Sequence, residues 1–344
     1  MTNRLIRLAE RIDDPLLVTE PTNVRYLTGF ASSNAVLLVE RDRVRLFTDF
    51  RYWGAAQDVA DVEPVLTKRN LIGELAETLG GRIAFERSLQ YGHYETLRDG
   101  GLDLVPTSGA VESLRAVKDD DELAILRRAC AITDRVFERL TDVRFVGRTE
   151  RDVAWELAQL FHEEGGEGLA FESIVGSGPT GSRPHARAGD RKIGTGELVV
   201  IDTGCTVDGY ASDCTRTFAT GPLDAESKEA YETVLLAQQR ALDGIRAGLS
   251  GVEADALARG VIDESPFSGA MGHGLGHGLG LDVHESPRLS KESTDVLEAG
   301  NVVTVEPGVY LDGRFGIRIE NDVLVTEDGM ESLTGFRRDL IEVA

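Results

Sequence analysis

Two stretches of the sequence place acidic residues on apolar segments that are joined by turn residues. In IDTGCTVDGYASD, Asp202 ends one apolar run and Asp213 lies on the next, with Asp208 and Gly209 as turn residues between them. The midpoint of positions 202 and 213 falls between Val207 and Asp208, so we expect the two aspartates to lie opposite each other in a hairpin. Directly opposed side chains have Cβ atoms about 5 Å apart. Two carboxylates at that distance repel each other unless a cation lies between them.

The segment VEPGVYLDGRFGIRIE repeats this arrangement further along the chain. The midpoint of Glu306 and Glu320 is Gly313, within an Asp312-Gly313 turn. One such pair could arise by chance or lie at a solvated sheet edge. Two pairs, each on otherwise apolar strands, predict bound metal, and two divalent ions about 3.5–4 Å apart are the usual arrangement in hydrolytic sites.

A glycine-rich stretch, GHGLGHGLGLDVHE, could supply a nitrogen ligand. It contains three of the six histidines of the chain: His273, His277 and His284. Alternating glycines argue against a helix here, and neither the dinucleotide-binding nor the P-loop glycine pattern fits the spacing. His185 belongs to a polar loop, PTGSRPHARAGD, which precedes the strand of Asp202. We expect His93 and His162 to be ordinary surface or packing residues.

The first part of the chain mixes strands and helices. Residues 34–40 and 43–49 are apolar, β-branched runs separated by Arg41 and Asp42, which predicts a hairpin. The acidic cluster KDDDE then opens a long amphipathic pattern. We therefore predict an amino-terminal domain of residues 1–117 and a second domain of residues 118–344.

The second domain contains a repeated plan. One helix is predicted over residues 119–140 and a second opens at Thr149, where Asp152 completes a weaker form of the capping box. Strands follow, and after Gly221 a long helix and a second helix capped by Ser250 and Glu253 precede further strands. This order predicts an α+β fold of two similar halves packed face to face. A single α+β domain without internal symmetry is the alternative.

The composition limits the partners and the compartment. The chain has 37 basic and 59 acidic residues and a formal net charge of −22, which disfavours nucleic acid and anionic membranes as partners. An acidic surface with only five lysines suits a high-salt cytoplasm, although a function with a cationic partner would give the same composition. The three cysteines favour a reducing compartment, and we expect Cys205 and Cys214 to be buried filler. No apolar run is long enough to span a bilayer, so the sequence predicts a soluble, cytoplasmic protein.

These residues resemble those of metallopeptidase family M24, which includes prolidase, aminopeptidase P and methionine aminopeptidase and has the pita-bread fold. The similarity covers nearly the whole chain and points to the prolidase and aminopeptidase P branch. NVRYLTGF and the TDFRY stretch resemble the creatinase/prolidase-type amino-terminal domain of that branch, which methionine aminopeptidases lack. The resemblance thus implies a smaller mixed α/β domain followed by a pita-bread catalytic domain with internal pseudo-symmetry.

The resemblance also implies a set of site residues. The metal ligands would be Asp202, Asp213, His277, Glu306 and Glu320, with Asp213 and Glu320 bridging two ions. The same comparison gives substrate-contacting or supporting roles to His185, His273, His284 and Arg318. For Arg318, a structural ion pair with a metal ligand is an equal alternative. Creatinase shares the fold but lacks this ligand set, which argues against that activity.

The activity implied is hydrolysis of the bond between an amino-terminal residue and proline, by a hydroxide that bridges two metal ions. Glu306 would move the proton to the leaving nitrogen, and His185 and His284 would donate to the developing oxyanion. Manganese or cobalt suits this ligand set, with zinc and iron as alternatives. The family also implies a homodimer. Two alternatives remain: a catalytically silent relative that acts as a binding module, and an aminopeptidase without a proline requirement. The sequence leaves open whether dipeptides or longer peptides are cleaved.

Overall fold

The computed structural model describes residues 3–343. The chain divides into two compact units, Met1–Arg115 and Ala116–Ala344, a division two residues before the boundary that the sequence predicts. Among the described residues, no helix is both long and apolar enough to cross a lipid bilayer.

The first unit is built on a six-stranded mixed sheet in the order β4-β3-β2-β1-β5-β6. Its strands are β1 (Leu16–Val18), β2 (Ala35–Val39), β3 (Val44–Asp49), β4 (Glu63–Thr67), β5 (Arg82–Glu86) and β6 (Asp103–Thr107). The central strands β1, β2 and β3 pair antiparallel, whereas β4, β5 and β6 join parallel to their neighbours. Val39 pairs with Val44, which confirms the predicted hairpin over Arg41 and Asp42.

From residue 3 onward, where the structure describes the chain, six helices accompany this sheet: α1 (Asn3–Ala9), α2 (Pro21–Thr28), α3 (Trp53–Ala56), α4 (Leu71–Thr78), α5 (Tyr91–Asp99) and α6 (Glu112–Ala116). Leu71 and Leu75 of α4 are buried in one apolar cluster with Leu38 and Phe47 of the sheet. The apolar stripe along α4 packs its leucines against the face of the sheet that carries Leu38 and Phe47.

The second unit has four long helices: α7 (Asp120–Leu140), α8 (Glu150–Glu163), α9 (Ala225–Gly244) and α10 (Gly251–Asp263). Capping boxes begin α7, α8 and α10, at Asp119, Thr149 and Ser250. Each satisfies backbone N–H groups that the first helical turn leaves without partners, which explains why these helices start where the sequence predicts.

The strands of this unit form three sheets and one separate hairpin, in the orders β11-β10-β7, β20-β12-β9-β8, β14-β13-β15-β18-β19 and β16-β17. Their bounds are β7 (Gly168–Leu169), β8 (Ile174–Ser177), β9 (Leu198–Thr203), β10 (Cys205–Val207), β11 (Tyr210–Ala211), β12 (Cys214–Ala219), β13 (Gly276–Gly278), β14 (Glu285–Leu289), β15 (Val302–Val305), β16 (Gly308–Leu311), β17 (Phe315–Arg318), β18 (Asn321–Val325), β19 (Met330–Ser332) and β20 (Ile341–Glu342). A 3₁₀ helix spans Gly178–Ser182.

The predicted order of helix, helix and strands occurs twice in this unit, and the α+β class is confirmed. One apolar cluster joins side chains of α7 and α8, such as Phe137 and Leu157, to Val199 and Phe218 of β9 and β12. A second cluster joins the alanine-rich faces of α9 and α10 to β15 and β18. Each pair of helices therefore covers one sheet, and the loops and hairpins between these layers carry the polar residues described next.

Candidate metal centre

Both acid-bearing hairpins change direction where their acidic residues lie. The first passes from the β9–β12 ladder to the short β10–β11 ladder at Gly204, whose hydrogen atoms face the carbonyl of Ser212 so closely that a Cβ would lie 1.8 Å from it. Asp202 lies just before this bend and Asp213 just after it. The second hairpin passes from the β15–β18 ladder to β16–β17 at positions 306 and 320. Asp213, Glu306 and Glu320 therefore lie between strands, whereas Asp202 belongs to the end of β9, and all four side chains line one cavity.

The observed register corrects one of the two predicted pairings. Thr215, and not Asp213, lies opposite Asp202, so the direct opposition of the two aspartates is wrong. The turn is centred between Asp208 and Gly209, both with positive φ, which is one position later than the predicted centre. A shift of the turn centre by one position moves the residue opposite Asp202 by two, from Asp213 to Thr215. Because side chains two residues apart on a strand point to the same side, Asp202 and Asp213 still lie on the same face of the hairpin.

The predicted register of the second hairpin is confirmed. Gly308 pairs with Arg318 and Val305 pairs with Asn321, so both flanking ladders place position 306 opposite position 320. The Asp312-Gly313 turn lies at the centre, with Gly313 at φ 69°. A turn that requires positive φ thus determines this register from the sequence.

The middle of the histidine-bearing stretch, Gly276–Gly278, forms β13, in agreement with the prediction that the stretch is not a helix. A Cβ at Gly276 would lie 2.0 Å from the carbonyl oxygen of Thr304, and one at Gly278 would lie 2.2 Å from that of Ser286. These glycines are therefore required by the backbones of the neighbouring strands. His277, between them, directs its Nε2 to within 3.3 Å of Glu306 Oε1 and 3.8 Å of Asp213 Oδ2. Its Nδ1 lies 3.1 Å from the carbonyl of Gly278, which leaves Nε2 for a ligand.

All the predicted site residues line one cavity of about 540 Å³: His185, Asp202, Asp213, His273, His277, His284, Glu306, Arg318 and Glu320. Donor atoms of Asp213, His277 and Glu320 lie within 4.8 Å of one another, the only such group of three in the part of the chain that the structure describes. Asp202 and Glu306 line the same wall. Neither His93 on α5 nor His162 on α8 lines this cavity, as expected.

Comparison with known proteins agrees with this arrangement. Residues 124–327 match the model of metallopeptidase family M24, and residues 5–117 match that of the creatinase/prolidase N-terminal domain. The chain belongs to metallopeptidase family M24. The resemblance seen in the sequence is thereby confirmed, and so are the two-part architecture and a metal-dependent peptidase class.

Named relatives span the whole of this M24 chain. A Xaa-Pro dipeptidase of Pyrococcus furiosus is 34% identical over 99% of this chain and 100% of its own. A Xaa-Pro dipeptidase structure from Bacillus anthracis superposes with a TM-score of 0.95 at 38% identity, covering 99% of both chains. An X-Pro aminopeptidase structure from Thermotoga maritima gives a TM-score of 0.88 at 35% identity, covering 97% of this chain and 99% of that one.

The electrostatics of the M24 site test whether a metal fits. The buried Oδ1 atoms of Asp202 and Asp213 have no hydrogen-bond partner among the described residues. Burial and the neighbouring carboxylates raise the pKa of Asp213 and of Glu320 well above the usual range. Burial would also raise the pKa of Glu306, but the hydrogen bond and charge of His277 outweigh it and lower that pKa to about 2. Several carboxylate oxygens buried together are destabilising unless a cation neutralises them. A set of carboxylates with one imidazole is suited to a divalent first-row metal ion. The residues present therefore fit a divalent metal centre.

Several residues that support this site were not identified from the sequence. Tyr310 Oη lies 3.0 Å from His273 Nε2 and accepts a hydrogen bond from Arg318 Nη1 at 2.6 Å. Arg318 also pairs with Asp202 and donates to Thr215 Oγ1, which in turn donates to Glu320 Oε2 at 2.6 Å. The sequence marks Tyr310 and Thr215 only as strand residues, because His273 and Glu320, which they contact, are distant from them along the chain.

The backbone of the histidine stretch is fixed from α10 by a buried ion pair. Arg259 binds Asp255 through two nitrogens and donates to the carbonyls of Met271 and His273. Asp255 Oδ1 also accepts the amide of Leu275 at 3.0 Å. Because the charges neutralise each other and their remaining hydrogen-bonding sites face the backbone, this pair is satisfied in a buried position.

The three cysteines do not take part in the metal centre. Cys130, Cys205 and Cys214 are free and buried, which agrees with the prediction of buried filler for Cys205 and Cys214. Cys130 Sγ lies 3.3 Å from Asp322 Oδ2, which also accepts the backbone amide of Asp213. Asp322 thus lies behind a candidate ligand and holds its backbone.

Proposed function

We propose that this M24 chain hydrolyses the peptide bond between an amino-terminal residue and proline, in dipeptides or short peptides. In this proposal two divalent ions are held by Asp202, Asp213, His277, Glu306 and Glu320. The observation that carries it is the convergence of these five side chains on one cavity, with two of their buried oxygens lacking a protein partner. The named relatives support the choice of proline-containing substrates.

Bound ions would polarise the scissile carbonyl and lower the pKa of the attacking water towards neutrality. For their identity we propose manganese or cobalt, with zinc and iron as alternatives, because the ligands are mostly carboxylate oxygens.

The other roles fall to protein groups. Glu306 is the candidate to accept a proton from the attacking water and deliver it to the proline nitrogen, because its carboxylate lines the cavity beside the other proposed ligands. Burial lowers the pKa of His273, and partial desolvation together with the charge of His277 lowers that of His284, so each is a neutral imidazole at neutral pH. His284 and His185 lie exposed on the cavity wall, where an N–H group can stabilise negative charge on the carbonyl oxygen.

Arg318 is better placed to orient the site than to bind substrate. Its Nη2 pairs with Asp202, its Nη1 donates to Tyr310, and it is 3% exposed. We propose that the chain of contacts from His273 through Tyr310 to Arg318 holds Asp202 in place.

The test is hydrolysis by purified, manganese-loaded protein in concentrated potassium chloride, on Xaa-Pro dipeptides, Xaa-Pro-Yaa tripeptides and proline-free controls, with and without chelator. Chelator-sensitive cleavage of dipeptides alone would identify a dipeptidase, and cleavage of tripeptides an aminopeptidase P. Cleavage of the controls would favour the broader aminopeptidase. No cleavage at full metal occupancy would contradict the proposal and favour a silent relative.

A histidine pair offers a matched comparison within this assay. His284→Ala should lower kcat about 10²–10³-fold, the usual cost of losing one donor to a developing oxyanion. His162→Ala removes an exposed imidazole on α8, outside the cavity, and should leave kcat unchanged. Equal rates for the two variants would remove His284 from the mechanism.

We further propose a homodimer in the cytoplasm, from the resemblance and from the acidic, cysteine-poor composition. Sedimentation equilibrium of the metal-loaded protein would test the first point, since a mass of one chain would contradict it.

A further inference from the structure

Glu150, at the start of α8, is a buried carboxylate that the proposed reaction does not use. It is 1% exposed. Its Oε1 accepts hydrogen bonds from the amide and the hydroxyl of Ser177, at 2.9 and 2.7 Å. Its Oε2 accepts the amide of Gly189 at 3.2 Å. The three hydrogen bonds therefore connect Glu150 to the two ends of one segment, residues 177–189.

The segment between these two ends carries His185. Its first part is attached to the second hairpin, because Ser182 Oγ accepts the amide of Gly313 and the carbonyl of Pro184 lies 3.4 Å from Arg318 Nη1. Beyond Pro184 the side chains of His185 and Arg187 are exposed, whereas Ala186 is buried. At Gly189 the returning chain is held twice, because Glu150 accepts the amide of Gly189 and the amide of Arg151 donates to its carbonyl. His185 therefore lies between two attachment points, and the Glu150 side chain contributes to the later one.

The helix itself does not need the Glu150 side chain. Thr149 and Asp152 form the capping box of α8, so the helix start is already satisfied. A carboxylate is costly to bury, and this one is compensated by three donors and by the positive end of the helix dipole. Since an exposed residue would serve the helix equally well, the burial of Glu150 is explained by the segment it binds.

We propose that Glu150 is a positioning residue that fixes the segment of residues 178–188 and so places His185 in the cavity. The inference rests on the proposed function for its catalytic consequence, because His185 acts there on the substrate carbonyl. Displacing a catalytic group by about 1 Å can cost about 10²-fold in rate. The holding of the segment itself is independent of activity.

Glu150→Gln is the informative substitution. Glutamine keeps the size of the side chain but replaces one oxygen by an NH₂ group, which would meet a backbone N–H donor where an acceptor is needed. At full metal occupancy we expect kcat to fall about tenfold or more, with KM changed less than about threefold. In a His185→Ala background the same substitution should change kcat less than about twofold, because the group it positions is absent. Equal losses in both backgrounds would overturn the positioning role.

Hydrogen exchange of the metal-loaded protein supplies a readout that does not depend on activity. The hydrogen-bonded amides of Arg183, Ala186 and Gly189 should exchange at least about tenfold faster in Glu150→Gln than in the wild type. The control is Asp152→Ala, which removes a carboxylate from the same helix start without touching this segment, and it should leave these amides and kcat unchanged. Unchanged exchange in Glu150→Gln would refute the proposal.

The proposal can still be tested if the Glu150→Gln variant does not fold or if the wild type is inactive. If Glu150→Gln does not fold, Ser177→Ala removes one of the three bonds and should give the same pattern with a smaller effect. If the wild type cleaves no peptide, the proposed function has failed, and the exchange rates alone decide whether Glu150 holds the segment.

Discussion

Asp213→Asn is expected to change thermal stability in opposite directions with and without metal. The Asp213 side chain is 7% exposed, its Oδ1 has no partner, and the neighbouring charges that raise its pKa are carboxylates, first Glu320 and then Asp202. A buried polar group without a partner costs about 1–3 kcal/mol, and more when it is charged. Asparagine has the same shape and no charge, so it removes part of this cost from the metal-free protein.

The size of the effect follows from these terms. In a domain of 150–250 residues about 1 kcal/mol corresponds to about 2–4 °C in Tm, so the metal-free variant should melt about 2–10 °C higher than the wild type. The stability advantage of metal-free Asp213→Asn over the metal-free wild type should increase with pH. The raised pKa of Asp213 means that the folded metal-free protein binds more protons than the unfolded chain, so the stability of the wild type falls as pH rises. With manganese the sign reverses, since an ion at 100 times its Kd contributes about 2.7 kcal/mol that a weakened site loses.

The assay is differential scanning calorimetry of both proteins in chelator and in excess manganese. Asp134→Asn is the control, because Asp134 accepts the amides of Gly335 and Phe336 and its loss should lower Tm under both conditions. If Asp213→Asn lowers Tm in chelator as Asp134→Asn does, the Asp213 carboxylate does not destabilise the metal-free protein. If it leaves the manganese-dependent rise intact, Asp213 is not a ligand.

Two further predictions concern the backbone of the site and the first unit. Gly276→Ala should destabilise the protein by several degrees or prevent its folding, because the added Cβ would lie 2.0 Å from the carbonyl of Thr304, whereas Gly272→Ala meets no atom within 4 Å and should melt as the wild type does. Equal melting temperatures would contradict the close approach. Asp49→Asn should lower stability at neutral pH, because hydrogen bonds from Arg51 hold the pKa of Asp49 below its usual range. This contribution is present above the unfolded pKa of about 3.9 and is lost as pH falls, so urea titrations of the two proteins should converge in acid, and a constant difference would refute the assignment.

Local sequence signals determined the elements of this protein and part of its site. The capping residues Asp119, Thr149 and Ser250 begin helices because they satisfy the N–H groups of the first turn within a few residues of sequence. The opposition of Glu306 and Glu320 also followed from the sequence, because a tight turn centred on Gly313 leaves one register available.

Only the tertiary structure decided the other features. The turn of the first hairpin is an exception, because the Asp208-Gly209 pair that takes the positive φ values is itself a local turn signal, although the prediction placed the centre one position earlier. Glycine is required at 276 and 278 because the carbonyls of Thr304 and Ser286 leave no room for a Cβ at these positions. These carbonyls come close to the two glycines only when the sheet forms. The partners of Tyr310, Thr215 and Glu150 likewise come from other parts of the fold. Spacing along a chain encodes contacts within a helix or hairpin, whereas contacts between separate elements depend on how their apolar faces pack.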